Sequence, residues 1–292
     1  MQKKDLFLIY NPNSGKGKNT KTLDKIKRLL NDDFNLKVYV SNSRQSARDL
    51  AWQITSSCKN PLIVAAGGDG TINDIVNGCD INNVNIGILP VGTVNIIAKE
   101  LGIEENLYKA CEYIKKGNIA QIDVSKSNNI RFLFASGIGF DAQVVNNVSL
   151  KLKLMFGKLS YVIKSISVMF SFKPIDSIII NDNKQIFKGK FYQVIAGKTN
   201  IYAGNFKLFN DASLNNGLIN LAVFSHPTKL SFVLGFIKFF ISFNDKYIKR
   251  YQCRKIEIKT ESLTPFHIDG DSGNISPVVI DVLETKLNVI VP

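Results

Sequence analysis

Histidine is almost missing from this chain, with only His226 and His267, and the four cysteines (Cys58, Cys79, Cys111, Cys253) are scattered without a Cys-x-x-Cys pair. Neither a disulfide framework nor a zinc site can be read from so few, so widely spaced ligands. Long apolar runs are missing too. The opening MQKKDLFLIYNP holds apolar residues only at 6–10, and no stretch approaches the ~20 apolar residues of a membrane span. A cytoplasmic protein is therefore expected. An RNP-type aromatic motif, a zinc finger and a clustered basic tail are all lacking, which argues against nucleic acid as a partner. Chemistry in this chain has to run on carboxylates, hydroxyls and backbone amides.

What the chain does have is 292 residues that are 45% hydrophobic, enough for one large or two ordinary domains, and a formal net charge of +13. Such a charge steers anionic partners toward the protein, whether nucleotides or an acidic membrane surface. Up to about residue 123, short apolar runs (6–10, 36–40, 62–66, 86–89) alternate with helix-compatible stretches (20–30, 46–58, 71–77, 94–101, 107–116). That alternation predicts an α/β domain around a doubly wound, mostly parallel sheet. From residue 124 to 280 the pattern turns to strand-like runs separated by turn signals, predicting a mostly antiparallel β domain with helical insertions near 151–172 and 228–251. The last run, 281–292, is a strand that could return to the first domain.

In a parallel sheet ligands collect beyond the carboxyl ends of the strands. Three loops fall there: Asn11-Pro12-Asn13-Ser14-Gly15-Lys16-Gly17, Gly67-Gly68-Asp69-Gly70-Thr71, and Pro90-Val91-Gly92-Thr93-Val94-Asn95. Gly67, Gly68 and Gly70 are free to adopt positive φ and let amides approach a ligand, while the helix that follows aims its positive end at the same point. That combination suits phosphate. The first loop fails the Walker pattern but still offers amide and hydroxyl donors.

NPNSG at 11–15, GGDGTINDIVNG at 67–78 and PVGTVNIIAKELGI at 90–103, taken together, resemble the diacylglycerol kinase catalytic-domain family, which includes bacterial lipid kinases and sphingosine kinases. Tyr202-Ala203-Gly204-Asn205-Phe206, residues 211–218 and Ile268-Asp269-Gly270-Asp271 resemble the family's later blocks in the same order. The resemblance implies a two-domain fold like that of NAD kinases, and an ATP-dependent phosphotransferase acting on a lipid hydroxyl. It assigns ATP contacts to Asn11, Pro12, Asn13, Ser14, Gly15, Ser41, Gly67, Gly68, Asp69, Gly70, Thr71, Ile72, Asn73 and Thr93. It makes Asp271 the general base and places Ser213, Asn216 and Leu218 on a loop that binds a structural Mg²⁺ in some bacterial members. The chemistry of phosphoryl transfer, which asks for a metal to neutralise the phosphates, suits Asp69 to organising the Mg²⁺-bound phosphates.

The chain departs from the family pattern at several of these positions. Asp271 stands for the usual Glu and is shorter by ~1.5 Å of reach. Ile96 and Asp74 replace an Asp and a Glu. Asn215 and Asn216 replace a pair of aspartates, which weakens a hard-cation site. Two other functions remain open at this level: an NAD kinase, and a nucleotide- and lipid-binding regulator without turnover.

A lipid kinase has to meet a bilayer. In TKLSFVLGFIKFFISF, residues 228–243, Thr228, Ser231, Gly235, Lys238 and Ser242 would make one narrow polar stripe on an otherwise apolar helix ~24 Å long. Flanked by Lys246, Lys249 and Arg250, it fits either an anionic membrane surface or the protein core. Residues 150–170 carry the same ambiguity. Peripheral attachment at the inner membrane face is the expected location, and a homodimer is left open.

Overall fold

The computed structural model describes residues 3–15, 20–148, 159–202, 206–239 and 245–292. Lys16, Gly17, Ala203, Gly204, Asn205, Ser242 and the first part of the 150–170 stretch lie outside the described residues. The chain divides into two compact units, Met1–Val124 with Leu283–Pro292, and Ser125–Val282.

In the first unit, strands β1 (Lys4–Tyr10), β2 (Phe34–Val40), β3 (Leu62–Gly67) and β4 (Asn85–Pro90) alternate with helices α1 (Thr20–Leu30), α2 (Arg44–Ser57), α3 (Asp69–Gly78), α4 (Ile96–Glu100) and α5 (Leu107–Lys116). The strands run parallel in the order β2-β1-β3-β4. Asn288 and Val289 of the last strand, β18 (Val278–Ile290), add parallel to β4. Past their first residue, β3 and β4 are buried throughout. Unbroken burial of that kind belongs to a sheet covered on both faces.

Three helix starts differ from the sequence expectation, each for a local reason. Helix α2 begins at Arg44 because the Ser43 hydroxyl caps it, accepting from the Ser46 amide at 3.1 Å. Helix α3 begins at Asp69 because Gly68 takes the N-cap position, so half of the glycine turn is already helical. Helix α4 is cut to Ile96–Glu100 because Asn95 sits in the left-handed region at φ 55° and ends the backward run of the helix.

The second unit pairs two layers. One is a six-stranded antiparallel sheet ordered β14 (Ile248–Cys253), β13 (Ile219–Phe224), β10 (Gln193–Gly197), β7 (Ala135–Gly139), β16 (Pro265–Ile268), β17 (Asp271–Ile275). The other runs β9 (Lys184–Phe191), β8 (Ile175–Asn181), β15 (Lys255–Thr260) and the start of β18, again antiparallel. Alternate residues from both layers meet in a single core, with Ile179, Ile256 and Ile280 from one side and Val194, Leu221 and Phe266 from the other. Antiparallel sheets that bury one face require this period of two. The connections carry β5 (Ile119–Ser127), β6 (Ile130–Phe132), the short ribbon β11 (Ile201–Tyr202) with β12 (Phe206–Lys207), and helices α6 (Phe140–Asn147), α7 (Leu159–Ser171) and α8 (Lys229–Phe239).

The expected helical insertion over 228–251 is shorter than predicted. Its described helix ends at Phe239, and Ile248 to Cys253 pair in register with β13. The stripe of small and polar residues does not share one environment: Thr228 and Lys238 are exposed, Ser231 is partly buried and Gly235 is buried. Gly235 faces inward, where an added Cβ would collide with His226 and Asp245, and Phe232 stacks on Tyr192 at 4.4 Å. Apolar side chains are turned to solvent as well: Leu230, Leu234 and Ile237 are 69%, 52% and 52% exposed. Glycine faces inward because it lets the helix approach the buried His226–Asp245 pair closely.

Candidate active site

The first unit brings the three loops together at the carboxyl edge of its sheet. The Asn11 amide hydrogen bonds to the Ala66 carbonyl, and its side chain donates to the Thr71 hydroxyl at 2.9 Å while accepting from the Asn13 amide. The Ser14 hydroxyl lies 3.4 Å from the same Thr71 oxygen. Gly15 adopts φ +36°, and a Cβ there would stand 2.8 Å from the Gly92 carbonyl carbon. A Cβ on Gly92 would in turn overlap Gly68 and come 2.6 Å from the Asn95 Oδ1. Three backbones from distant parts of the sequence therefore touch where side chains would keep them apart.

The glycines work differently from the sequence expectation. Positive φ is not found at Gly67, Gly68 or Gly70. What these positions require is space: Gly67 lies under the Thr71 side chain and Gly68 against Gly92, while Gly70 is inside the first turn of α3. As N-cap, Gly68 contributes no side-chain hydrogen bond, so the positive end of α3 is left open to an outside anion. A cavity of about 240 Å³ opens beside the third loop, lined by Lys21, Lys25, Pro90, Val91, Glu105 and Leu107. The glycine walls and the α3 terminus present backbone amides of the kind that suit an anion, and Lys21 and Lys25 line the cavity beside the third loop.

Asp69 opens α3 and turns its carboxylate to the N-terminus of α4, accepting the Ile97 amide at 3.0 Å. Burial pushes its carboxyl above the usual range, against the pull of the Ile97 and Ile96 amides. Ile96, which stands where a carboxylate was the family expectation, is buried instead. Asn95 is 2% exposed; its Nδ2 donates to the Gly92 carbonyl at 3.2 Å, and its Oδ1 is a buried acceptor without a partner among the described residues. Asp74 is held by Arg48 at 3.1 Å, so this carboxylate ties α3 to α2. Ser41 is buried and donates to the Ser43 carbonyl, Ile72 and Asn73 are buried in α3, Pro12 is partly buried, Asn13 is exposed, and Thr93 faces solvent.

In the second unit, Asp269 and Gly270 form the tip between β16 and β17, both with positive φ. The Asp269 carboxylate accepts the amides of Leu133, Phe134 and Ala135 at 2.9–3.1 Å. That carboxylate is consumed in holding the tip, and Asp271, partly exposed at the start of β17, is the next acid along the hairpin.

Residues 5–127 match the profile described as the diacylglycerol kinase catalytic domain, and residues 135–291 match the YegS C-terminal NAD kinase beta sandwich-like domain. The diacylglycerol kinase of Staphylococcus epidermidis is 30% identical over 292 residues, covering 98% of this chain and 91% of the relative. The chain belongs to the diacylglycerol kinase catalytic-domain family. It is therefore a kinase, a phosphotransferase with an alcohol acceptor. The diacylglycerol kinase of Bacillus subtilis is 29% identical over 296 residues, 98% of this chain and 95% of that one. In fold, the kinase resembles a diacylglycerol kinase from Bacillus anthracis (TM-score 0.77, 21% identity, 100% and 98% of the two chains). It also resembles an NAD kinase from Archaeoglobus fulgidus solved with ATP (TM-score 0.56, 15% identity, 98% and 93%).

The kinase also carries a polar cluster that its sequence does not reveal. Asp141, in the first turn of α6, receives the Tyr202 hydroxyl, and His267 Nε2 lies 2.9 Å from the same carboxylate oxygen and 3.0 Å from the Tyr202 oxygen. Burial pushes the Tyr202 phenol well above its usual range, and the Asp141 charge adds to the shift. Gly137 lies directly beneath, where a Cβ would strike both Asp141 and His267. These residues are 126 and 65 positions apart in sequence, so only the Gly137 requirement leaves a trace there.

Proposed function

We propose that the kinase transfers the γ-phosphoryl group of ATP to a hydroxyl of diacylglycerol or a related lipid, at an anionic membrane surface. The observation that carries the ATP half is the glycine-walled contact of Gly15, Gly68 and Gly92 at the open N-terminus of α3. The lipid half is supported by family membership and by the exposed Leu230, Leu234 and Ile237 on α8. Bound with ATP, Mg²⁺ would neutralise phosphate charge. Asp69 is the acid at the loops suited to orient it, since this cation needs one or two carboxylates beside the phosphates.

In the proposed reaction the lipid oxygen bonds to the γ-phosphorus, the bond to the departing ADP oxygen breaks, and the hydroxyl proton passes to Asp271. General-base assistance of this kind is worth roughly 10²–10⁴ in rate. The test is turnover of labelled ATP by the purified protein against a panel of lipid hydroxyls and NAD, for wild type and Asp271→Asn. Lipid phosphorylation with a loss of that size in the variant is expected. Turnover on NAD alone would make the protein an NAD kinase, and equal turnover by both proteins would remove Asp271 as the base.

A further inference from the structure

The family resemblance puts a structural Mg²⁺ among Ser213, Asn216 and Leu218, and this chain's own residues do not fit one. Lys198, which follows β10, is completely buried. Its Nζ donates to the Leu218 carbonyl at 2.6 Å and to the Asn216 Oδ1 at 3.2 Å, two of the three oxygens the metal would need. The third, the Ser213 hydroxyl, donates to the Asn215 Oδ1 at 2.8 Å. A hard divalent cation asks for six or more oxygens and gains affinity from carboxylate charge. Here the donors are neutral amides and a carbonyl, and a basic nitrogen already lies among them.

We propose that Lys198 is a built-in replacement for the structural divalent cation, so that this loop holds its shape with no metal. The substitutions agree in charge: aspartates matched to a dication have become Asn215 and Asn216, matched to a single-charged side chain. The replacement is anchored from both ends. The Lys198 amide donates to the Phe134 carbonyl at 2.8 Å, and Asn200 exchanges two hydrogen bonds with the backbone of Ala212. Two residues further on is Tyr202, the partner of Asp141 and His267. Lys198 thereby fixes the segment that presents Tyr202 to the polar cluster, independently of the magnesium supply.

Thermal melting of the nucleotide-free protein tests this without any reliance on catalysis. Wild type should melt at the same temperature in EDTA and in millimolar Mg²⁺ or Ca²⁺. Lys198→Met, which deprives the Leu218 carbonyl and the Asn216 Oδ1 of their buried donor, should melt about 4–8 °C lower. Lys198→Ala combined with Asn215→Asp and Asn216→Asp should acquire a melting temperature that rises with added Mg²⁺ or Ca²⁺. Destabilisation of wild type by EDTA would overturn the proposal, and that arm needs no variant to fold. So would a Lys198→Met protein as stable as wild type, or a triple variant indifferent to both metals, because the lysine would then fill no cation position.

Discussion

Gly92→Ala tests whether the contact between the second and third loops is what shapes the proposed ATP site. The new methyl would lie 2.6 Å from the Asn95 Oδ1 and inside contact distance of Gly68. Ordinary heavy-atom contact is about 3.5 Å, so one of the two loops must retreat by about 1 Å. Overpacking of this kind costs roughly 1–3 kcal/mol, against roughly 0.4–1 kcal/mol gained from the stiffer unfolded chain. The net loss should be about 1–2 kcal/mol, or about 2–8 °C in melting temperature. Function should suffer more than stability, because a displacement of about 1 Å at a reacting centre costs on the order of 10²-fold in rate. Gly117→Ala is the control. No atom lies within 4 Å of its Cβ position, but φ +70° strains an L-residue there, so it should lose roughly 1–2 kcal/mol of stability and no ATP affinity. Calorimetric titration with Mg-ATP and melting curves on both variants separate the effects. A Gly92→Ala protein with wild-type ATP affinity and turnover would refute the idea that close backbone approach builds the site.

Asp69→Asn should abolish most turnover yet leave the nucleotide-free protein at least as stable as wild type at neutral pH. The folded Asp69 carboxyl lies above its ordinary 3.8, so the stability it contributes is present below that value and lost as pH rises through the folded value. The two proteins' melting temperatures should therefore converge in acid and separate, in the variant's favour, toward neutrality; a pH series of melts that stays parallel would contradict this. Replacing Leu230 and Leu234 with Glu should cut flotation with anionic vesicles by about 10²-fold or more, since each buried leucine is worth about 1.5–3 kcal/mol. Melting should be nearly unaffected, as both side chains are exposed. Unchanged flotation would take α8 out of the membrane surface.

The strands and helices of the first unit are legible in the sequence because their signals are local: buried runs such as residues 63–66, and apolar faces repeating at helical spacing. The three loops are legible as well, since a ligand edge follows from parallel topology. What fails is anything set by a partner far along the chain. Ile248 to Cys253 reads as the tail of a helical insertion until β13 is there to pair with it. The inward turn of Gly235 depends on the His226–Asp245 pair. Lys198 looks like one more solvated lysine in a chain of charge +13, and only the folded 211–218 loop makes it a buried donor.

The glycines carry the most instructive of these differences. A glycine in a turn suggests a torsion that other residues avoid, and at Gly270 that reading holds, with φ +80° and no neighbour within 4 Å of a Cβ. At Gly68 and Gly92 the torsion is ordinary and the constraint comes from a second backbone pressed against the first. Sequence cannot separate the two requirements, because both are written as the same residue. They differ in consequence, however. A torsional glycine shapes its own turn, whereas a contact glycine couples two loops, so the proposed phosphate-binding edge is a joint property of β1, β3 and β4 and its parts cannot be varied one at a time.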